Sequence, residues 1–400
     1  MKKIFLLIIG VTLLISCNKT SNNVGQSDEK NKVINLTSSN NKKISELFSS
    51  FEIIPLETND SSLVGLGVRY AEFYKDKIYI LNTIGSGRNV LCFDSKGDFL
   101  FVVDRVGQGP EEYSNLGEFF IDRSRDEMIL ICERGKVMSL DLDGNFKKTQ
   151  MRSDKYNITN ASYVNDSTYV GYGGEGLLPG KFDLIQFDSN SLVVKRKSDK
   201  IKEPIPYAGD LCLSYYSNNL YYYSFMSDTI YDVTNIEAPE AIYYINPGQN
   251  TQNAKKRLIA FSSEYDKFVE EFVKLANSEK MKLIYSYYMN KDWVAINVFE
   301  PDERSAKKQK MRESVIFYNN EKRESFSSDN IIFDIFNLNE GLNDVQIIGS
   351  SDDSFYLLIE NEFTEKQKTQ IKQSKLTEKE KAILINYTEE DNPLLIVIKT

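Results

Sequence analysis

The feature that most constrains this chain is a short unit that returns at a fixed spacing. In each copy an apolar run ends in an aspartate, a polar turn follows, and a second apolar run begins. The first three aspartates are Asp94, Asp141 and Asp188, so the interval is 47 residues each time, and a weaker copy ends at Asp232. A period of this length with several strands per unit is typical of a propeller.

Each unit also contains an earlier strand that starts from an Asn- or Asp-rich turn. Short runs of β-branched and aromatic residues bounded by such turns are strand signals. Six of these runs occur, and their turns lie near residues 76, 126, 165, 218, 290 and 352. We therefore predict an all-β fold, a six-bladed β-propeller with four strands in each blade.

The two ends of the repeat region predict how the ring closes. A strand over residues 51–56 precedes the first unit, and an apolar run over residues 393–398 ends the chain. Because an open ring would leave unpaired sheet edges, we expect these segments to pair in the last blade. Two stretches break the strand rhythm and predict helical insertions, at about residues 261–277 and, mostly solvated, at about residues 363–382.

The N-terminus has the pattern of an exported lipoprotein. Two lysines precede an apolar run over residues 4–15, which is too short to cross a bilayer. The sequence Leu14-Ile15-Ser16-Cys17 then resembles a bacterial lipobox, in which the cysteine thiol is lipidated. We predict a lipoprotein signal peptide over residues 1–17 and a membrane anchor at Cys17.

The remaining chain divides by composition. Residues 18–44 are rich in Asn, Ser, Lys and Thr, which predicts a flexible tether, and the propeller is assigned to residues 45–400. The residues that directly follow Cys17 lack the acidic pattern that often directs lipoproteins outward. A cell-envelope location is therefore expected, with a periplasm-facing outer-membrane anchor favoured over the cell surface.

Four segments carry a family resemblance: Leu56-Glu57-Thr58, Phe93-Asp94-Ser95-Lys96-Gly97, Gly107-Gln108-Gly109-Pro110-Glu111-Glu112-Tyr113 and Asp391-Asn392-Pro393-Leu394. Together they resemble the six-bladed β-propeller lipoproteins of Bacteroides-type bacteria, which are related in shape to NHL-type propellers. The resemblance covers roughly residues 45–400 and implies the propeller fold. Because most members of that family have no established activity, it implies little about function.

The amino-acid composition excludes several classes of binding and catalysis. With a net charge of −9 and no cluster of basic residues, the chain lacks the positively charged surface that nucleic-acid binding requires. The chain has no histidine, which excludes Ser-His-Asp and Cys-His catalysis and histidine metal sites. The Asp-rich turn at Asp141 is not a calcium loop, because Arg152 stands where an EF-hand needs glutamate. We predict no metal and no cofactor, and we expect Cys92, Cys132 and Cys212 to be buried free thiols.

The first candidate for a ligand site is the loop over residues 107–113. Its glycines would let backbone amides approach a ligand, with Gln108, Glu111, Glu112 and Tyr113 as contacts. Alternatively, the glycines and the proline only shape a crossing between blades, with Tyr113 packed there, and this structural interpretation is favoured. A tyrosine-rich patch over residues 215–223 is a conceivable glycan platform, but core and interblade packing is again favoured.

Two functional hypotheses follow. The first is a lipid-anchored envelope propeller that acts as a non-catalytic binding or interaction module for a glycan, a peptide or another envelope protein. The alternative is an extracytoplasmic polysaccharide hydrolase or lyase that uses Tyr, Arg and carboxylate chemistry without histidine. No catalytic pair can be selected among 58 acidic residues without their separations in space. Acidic, Arg and Tyr side chains converging in the central funnel would favour the enzyme, and a shallow apolar-aromatic face would favour binding.

Overall fold

The structure, a computed structural model, describes residues 32–37, 41–65, 68, 70–84, 87–153, 156–174, 183–199, 201, 212–261, 264–278, 281–301, 311–342 and 345–400. From Lys32 to Thr400 the chain forms one compact unit. Cys17, the predicted signal peptide and the first part of the predicted tether lie outside the described residues. Among the helices that are described, none is both long enough and apolar enough to cross a membrane.

Strands dominate the described chain, and the first three blades follow a short leading segment. The leading elements are β1 (Lys32–Asn35), β2 (Lys42–Lys43), α1 (Ile44–Leu47) and β3 (Ser50–Pro55). Blade one contains β4 (Ala71–Tyr74), β5 (Lys77–Ile84), β6 (Gly87–Asp94) and β7 (Phe99–Val103). Blade two contains β8 (Leu116–Asp122), β9 (Glu127–Cys132), β10 (Lys136–Asp141) and β11 (Phe146–Met151). Blade three contains β12 (Asn157–Asn165), β13 (Thr168–Gly174), β14 (Leu184–Asp188) and β15 (Val194–Lys197).

The other three blades carry the helical insertions. Blade four contains β16 (Leu213–Tyr216), β17 (Asn219–Tyr223), β18 (Thr229–Asp232) and β19 (Glu240–Asn246), and is followed by α2 (Gln249–Ile259) and α3 (Tyr265–Ser278). Blade five contains β20 (Leu283–Met289), β21 (Trp293–Pro301), β22 (Met311–Asn319) and β23 (Glu324–Ser327), and is followed by β24 (Ile331–Ile332). Blade six contains β25 (Val345–Ser350), β26 (Ser354–Ile359), β27 (Leu394–Lys399) and β3, with α4 (Glu365–Lys372) and α5 (Glu378–Asn386) between β26 and β27.

The six blades close into a ring around one axis. In every blade the sheet order follows the chain order, apart from β3 in blade six and β1, which is added beside β19 in blade four. The first strand of each blade contacts the first strand of the next, and the last of these contacts joins β25 to β4. These first strands therefore surround the axis. The predicted six-bladed β-propeller is confirmed.

The repeated aspartates are explained by the turns that follow them. Asp94 Oδ1 accepts hydrogen bonds from the backbone N–H groups two and four residues later, at 2.8 and 3.0 Å. Asp141 Oδ1 accepts the equivalent pair, at 2.9 Å each. Gly97 and Gly144 have φ angles of 92° and 81°, in the left-handed region that glycine adopts without strain. The repeat therefore marks the turn between the third and fourth strands of a blade.

The core lies between neighbouring blades. Strand β9 is buried along its whole length, and one apolar cluster joins Tyr79 of blade one to Phe119 of blade two. Cys92, Cys132 and Cys212 are buried thiols that form no disulfide, as predicted. Burial raises the pKa values of the Cys92 and Cys132 thiols to about 12, so both are held as unreactive thiols at neutral pH.

Ring closure joins the two ends of the repeat region. Strand β27 pairs with β3 along its whole length in antiparallel register, as predicted. Beside this pair, the side-chain amide of Asn392 donates to the carbonyl oxygens of Glu57 and Ser62, at 2.7 and 2.8 Å. The Thr58 hydroxyl accepts from the backbone N–H of Asn392 at 2.8 Å. Two of the segments that carry the family resemblance thus lock the closure together.

The N-terminal segment, residues 32–37 and 41–48, runs along the outside of the ring. Strand β1 adds in parallel to β19 of blade four, and β2 pairs with β24 after blade five. Ile34, Leu36 and Ile44 are fully buried. The tether predicted over residues 18–44 is therefore too long at its C-terminal end. The stretch is mostly polar in composition, but these three apolar side chains pack on the ring. The folded unit begins at Lys32.

The helical insertions lie where they were predicted, with one addition. Helix α3 matches the first prediction, and α4 and α5 occupy the second, each starting with a reciprocal capping box at Thr364 and Thr377. Each of these two helices buries one apolar side chain, Ile371 in α4 and Leu384 in α5. Helix α2 was not predicted, because it is polar on most sides and buries only Thr251, Ala254 and Leu258.

We expect alanine substitution of Ile34 to lower the free energy of unfolding by about 2–5 kcal/mol, because its buried side chain would leave a cavity. The matched control is Val33→Ala in the same strand, since Val33 is 44% exposed and should change stability by less than about 0.5 kcal/mol. Denaturant unfolding measures both. Equal effects of the two substitutions would show that β1 is not packed on blade four.

Candidate functional site

The loop over residues 107–113 connects blades one and two and is shaped by its own hydrogen bonds. The backbone N–H of Tyr113 donates to the Arg105 carbonyl at 2.8 Å, and the N–H of Gly107 donates to the Tyr113 carbonyl at 3.0 Å. The N–H of Gly109 donates to Glu112 Oε2 at 2.8 Å. The glycines therefore let the chain turn tightly around the Glu112 carboxylate, which lies against both of them.

Tyr113 is a packing residue between the blades. Its side chain is 1% exposed and belongs to the cluster that joins blades one and two. The hydroxyl lies 3.1 Å from the Arg88 carbonyl and 3.3 Å from the Val103 carbonyl, to which it donates. Burial raises the pKa of Tyr113 to about 12. Tyr113 is therefore packed at the crossing between blades, as the structural interpretation of the loop predicts.

The other three residues predicted as ligand contacts are exposed. Gln108, Glu111 and Glu112 lie on the surface of the loop, and Glu111 Oε2 is 3.6 Å from Arg105 Nη1. The loop thus turns Tyr113 inward and the other three side chains outward, instead of gathering all four in one place. Their role as ligand contacts stays a prediction.

A second group of side chains meets near the axis, at the end of the ring where the first and second strands of the blades are joined by turns. We call this group the axial mouth. Its members are partly exposed and come from four different blades. They are Glu72 and Tyr74 of β4, Arg123 after β8, Tyr163 of β12 and Tyr215 of β16.

Arg123 holds the axial mouth together. Its Nη2 donates to Glu72 Oε2 at 3.1 Å, and the negative charge of Glu72 raises the pKa of the guanidinium above its ordinary value. The guanidinium carbon lies 5.5 Å from the ring centroid of Tyr74 and 5.7 Å from that of Tyr215, within cation–π range. Tyr74 belongs to blade one and Tyr215 to blade four, so this blade-two side chain extends across the axial region.

Further aromatic and acidic groups extend the mouth around the axis. The rings of Tyr163 and Tyr215 meet edge to face, with centroids 5.6 Å apart. Burial, and then the negative charges of Asp352 and Asp292, raise the pKa of Tyr216. These two aspartates are exposed and lie in the first turns of blades six and five. All six blades therefore contribute to this end of the ring.

Glu118 lies on β8 within the wall of the ring and is 3% exposed. Its Oε2 accepts a hydrogen bond from Asn160 Nδ2 at 2.9 Å, and its Oε1 accepts from the backbone N–H of Phe119 at 3.1 Å. Burial raises the pKa of Glu118 to about 8, although both hydrogen bonds favour the carboxylate. Glu118 is therefore mostly protonated at neutral pH.

A pocket of about 340 Å³ opens beside the axial mouth, between blades one and six. We call it the side pocket. The rings of Phe73 and Tyr356 in its wall are stacked, with centroids 3.2 Å apart. Tyr74 lines the side pocket and also contacts Arg123, so the pocket and the mouth are neighbours on one surface. The charged residues of its lining are Glu52, Lys75, Asp76, Lys77, Asp353 and Lys399.

One protein family matches the chain over most of its length. A family described as a domain of unknown function, DUF4934, matches residues 31–399. The chain belongs to the DUF4934 family. The match starts one residue before β1, so it includes the N-terminal segment that packs on the ring. Among curated proteins, no match was found for this DUF4934 chain.

Solved structures similar to this DUF4934 chain share little sequence identity with it. A DUF4221 family member from Bacteroides vulgatus is 12% identical, with a TM-score of 0.52 over 88% of this chain and 96% of that one. BamB from Moraxella catarrhalis is 10% identical, with a TM-score of 0.33 over 82% and 71% of the two chains. U3-55K is 8% identical, with a TM-score of 0.45 over 88% and 99%. At 12% identity, the likeness to the DUF4221 family member shows the fold alone.

The tyrosine-rich patch of the DUF4934 chain divides into two parts. Tyr222 and Tyr223 are buried, as the packing interpretation predicts, whereas Tyr215 and Tyr216 are partly exposed at the axial mouth. No sequence signal marked Arg123, which follows β8 in a turn without a motif. Among the described residues, no group of three or more Cys, Asp or Glu is arranged to hold a metal ion.

Glu118 predicts a specific dependence of stability on pH. Its pKa in the folded protein, about 8, lies above the ordinary 4.5, so its contribution is complete below about pH 4.5 and is lost as the pH rises through about 8. Between these values the loss approaches about 1.4 kcal/mol per pH unit. Glu118→Gln should flatten the pH profile of the unfolding free energy, and Glu111→Gln on the exposed loop should not. A profile that keeps its slope in Glu118→Gln would refute the assignment.

Proposed function

We propose that this protein is a lipid-anchored propeller of the cell envelope whose axial mouth binds a neutral glycan. The observation that carries the glycan proposal is the position of Arg123, between the rings of Tyr74 and Tyr215 from opposite parts of the ring. Aromatic rings offer flat apolar surfaces to the C–H faces of a sugar. Guanidinium and carboxylate groups offer paired hydrogen bonds to its hydroxyl groups.

The charge of the axial mouth favours a neutral ligand. Around the axis stand the carboxylates of Glu72, Asp292 and Asp352, and Arg123 is already paired with the first of them. An acidic surface repels polyanions and leaves uncharged or cationic ligands. The side pocket, at about 340 Å³, lies at the lower end of the range of about 300–1,000 Å³ for small-molecule sites. It extends the surface on which a second sugar unit would lie.

The anchor part of the proposal rests on the sequence. The lipobox at Cys17 and the polar residues that follow it support a membrane-attached protein with a tether, in an envelope location that faces the periplasm. The folded unit starts at Lys32, so the tether proposed here covers residues 18–31. Incorporation of labelled fatty acid into the protein, lost in Cys17→Ser, is the measurement that tests it.

A catalytic function is the second candidate, because acidic, Arg and Tyr side chains do converge at the axis. Glu118 retains its proton at neutral pH, as a general acid must, and Glu72 is a second carboxylate in the same region. Yet Glu118 is 3% exposed, and both oxygens of Glu72 are engaged, by the Tyr70 hydroxyl at 2.6 Å and by Arg123. Neither group is presented to a substrate, which favours binding over turnover.

We expect neutral oligosaccharides to bind the purified protein, and Arg123→Ala and Tyr215→Ala each to weaken binding by at least about tenfold. Each variant removes one side of the proposed sugar site. The lost stacking and charged hydrogen bonds are worth at least about 1.4 kcal/mol, which corresponds to about a tenfold loss of affinity. Isothermal titration against a panel of neutral and acidic oligosaccharides measures this. Lys96→Ala, an exposed change in an outer turn of blade one, is the control and should bind like the parent.

The same titrations separate the alternatives. Binding of a basic peptide instead of any sugar, or binding that survives Arg123→Ala in a protein with unchanged thermal stability, would reject the glycan proposal. Release of shortened or unsaturated sugars, detected by mass spectrometry, would replace the binding function with a hydrolase or a lyase. In that case Glu118→Gln should abolish product release without abolishing binding.

A further inference from the structure

A separate cavity of about 230 Å³ lies on the outer side of the ring, where α2 crosses the junction of blades four and five. We call it the rim cavity. Its walls are mainly apolar and come from four parts of the chain: the N-terminal segment, blade four, helix α2 and the start of blade five. The principal apolar wall residues are Leu36, Tyr223, Met226, Ile245, Ile259 and Ile284.

Helix α2 covers the rim cavity with one of its faces. The helical residues that line it are Thr251, Gln252, Lys255, Lys256 and Ile259, which recur at the three- and four-residue spacing of a helix surface. They extend over nine residues, or about 12 Å of helix. The cavity is therefore elongated along α2 and does not reach the axial mouth, with which it shares no residue.

The edge of the rim cavity carries excess positive charge. Lys256 is exposed, and among the described residues it has no ion-pair partner. Lys255 Nζ lies 3.8 Å from Asp228 Oδ2, a loose pair whose carboxylate is largely exposed, at 69% of the side chain. Lys282 Nζ is engaged by Glu300 at 2.6 Å. Lys255 and Lys256, two neighbouring lysines of α2 beside the apolar walls, are thus available to one anionic group.

We propose that the rim cavity binds a single-chain anionic amphiphile, a medium-length alkyl chain that ends in a carboxylate or a phosphate. The alkyl chain lies along α2 among the apolar walls, and the anionic group lies at Lys255 and Lys256. An apolar cavity of about 150 Å³ is large enough for benzene, so about 230 Å³ accepts a chain longer than six carbons. The apolar side chains of its walls gain van der Waals contacts when an alkyl chain fills the space beside them.

The location of Leu36 gives the ligand an additional effect. Leu36 belongs to the N-terminal segment, is fully buried, and its backbone N–H donates to the Asn246 carbonyl at 3.0 Å. A chain that fills the cavity contacts Leu36 and holds this segment against blade four. Hydrogen exchange of the amides in residues 32–37 should therefore slow when the ligand binds. This inference is independent of the glycan proposal.

The test is a titration of the full protein with sodium hexanoate, octanoate and decanoate. Affinity should rise by roughly fourfold for each added CH2 group until the cavity is full, and then level off. Ile259→Trp fills the cavity and should abolish binding, whereas Val193→Trp, on the exposed rim of blade three, should not. Lys256→Gln should weaken octanoate by about tenfold and leave octanol unchanged, and Lys267→Gln on α3 is its control.

Two sources of such a chain are distinguished by a second arm with vesicles that contain lysophosphatidylglycerol, an anionic lipid with a single chain. Vesicle binding that is lost in Ile259→Trp, with weak binding of free octanoate, assigns the chain to a membrane lipid. Binding of free octanoate with no vesicle binding assigns it to a free fatty acid. Binding of neither probe, or octanoate binding that Ile259→Trp leaves intact, overturns the proposal.

Discussion

The structure depends on burying both faces of each blade. An isolated four-stranded antiparallel sheet with apolar side chains on two faces exposes as much apolar surface as it hides, and only neighbours on both sides remove that surface from water. Here every blade has two neighbours because β27 and β3 meet in blade six. The antiparallel pairing of these two strands, with Asn392 bonded to Glu57 beside it, is therefore the constraint on which the other five blades depend.

Local chemistry explains which parts of this fold were predictable from sequence. The aspartates at 94 and 141 mark turns because their carboxylates accept hydrogen bonds from backbone N–H groups nearby, and that signal is contained in five residues. The closing strand was also predictable, since an apolar run at each end must find a partner. Strand β1 and helix α2 were not, because the apolar runs that contain Ile34 and Leu258 are short and lie in largely polar stretches, and they pack on surfaces supplied by distant parts of the chain.

The functional surface was harder to predict for the same reason. The loop over residues 107–113 is distinctive in sequence because a tight crossing needs glycine and proline, and its Tyr113 is a packing residue. Arg123 has no motif around it, and its partners Glu72 and Tyr215 lie 51 residues before it and 92 residues after it in the chain. Only the ring brings them together. In a propeller, distinctive segments tend to shape the scaffold, whereas residues at the axis are recognised only once the blades are in place.

The pairing of β27 with β3 also determines when the ring can close during synthesis. Ser49 and Lys399, which are hydrogen-bonded at the closure, are separated by 350 positions. Strand β3 is synthesised before the strands of the first five blades, and it must wait for β27, the last strand of the ring, before its edge is covered. Five blades can stack during this interval, but the sixth stays incomplete, and a bare strand edge invites pairing with other chains. Protection of the nascent chain from aggregation would therefore matter most in the interval before its final strand arrives.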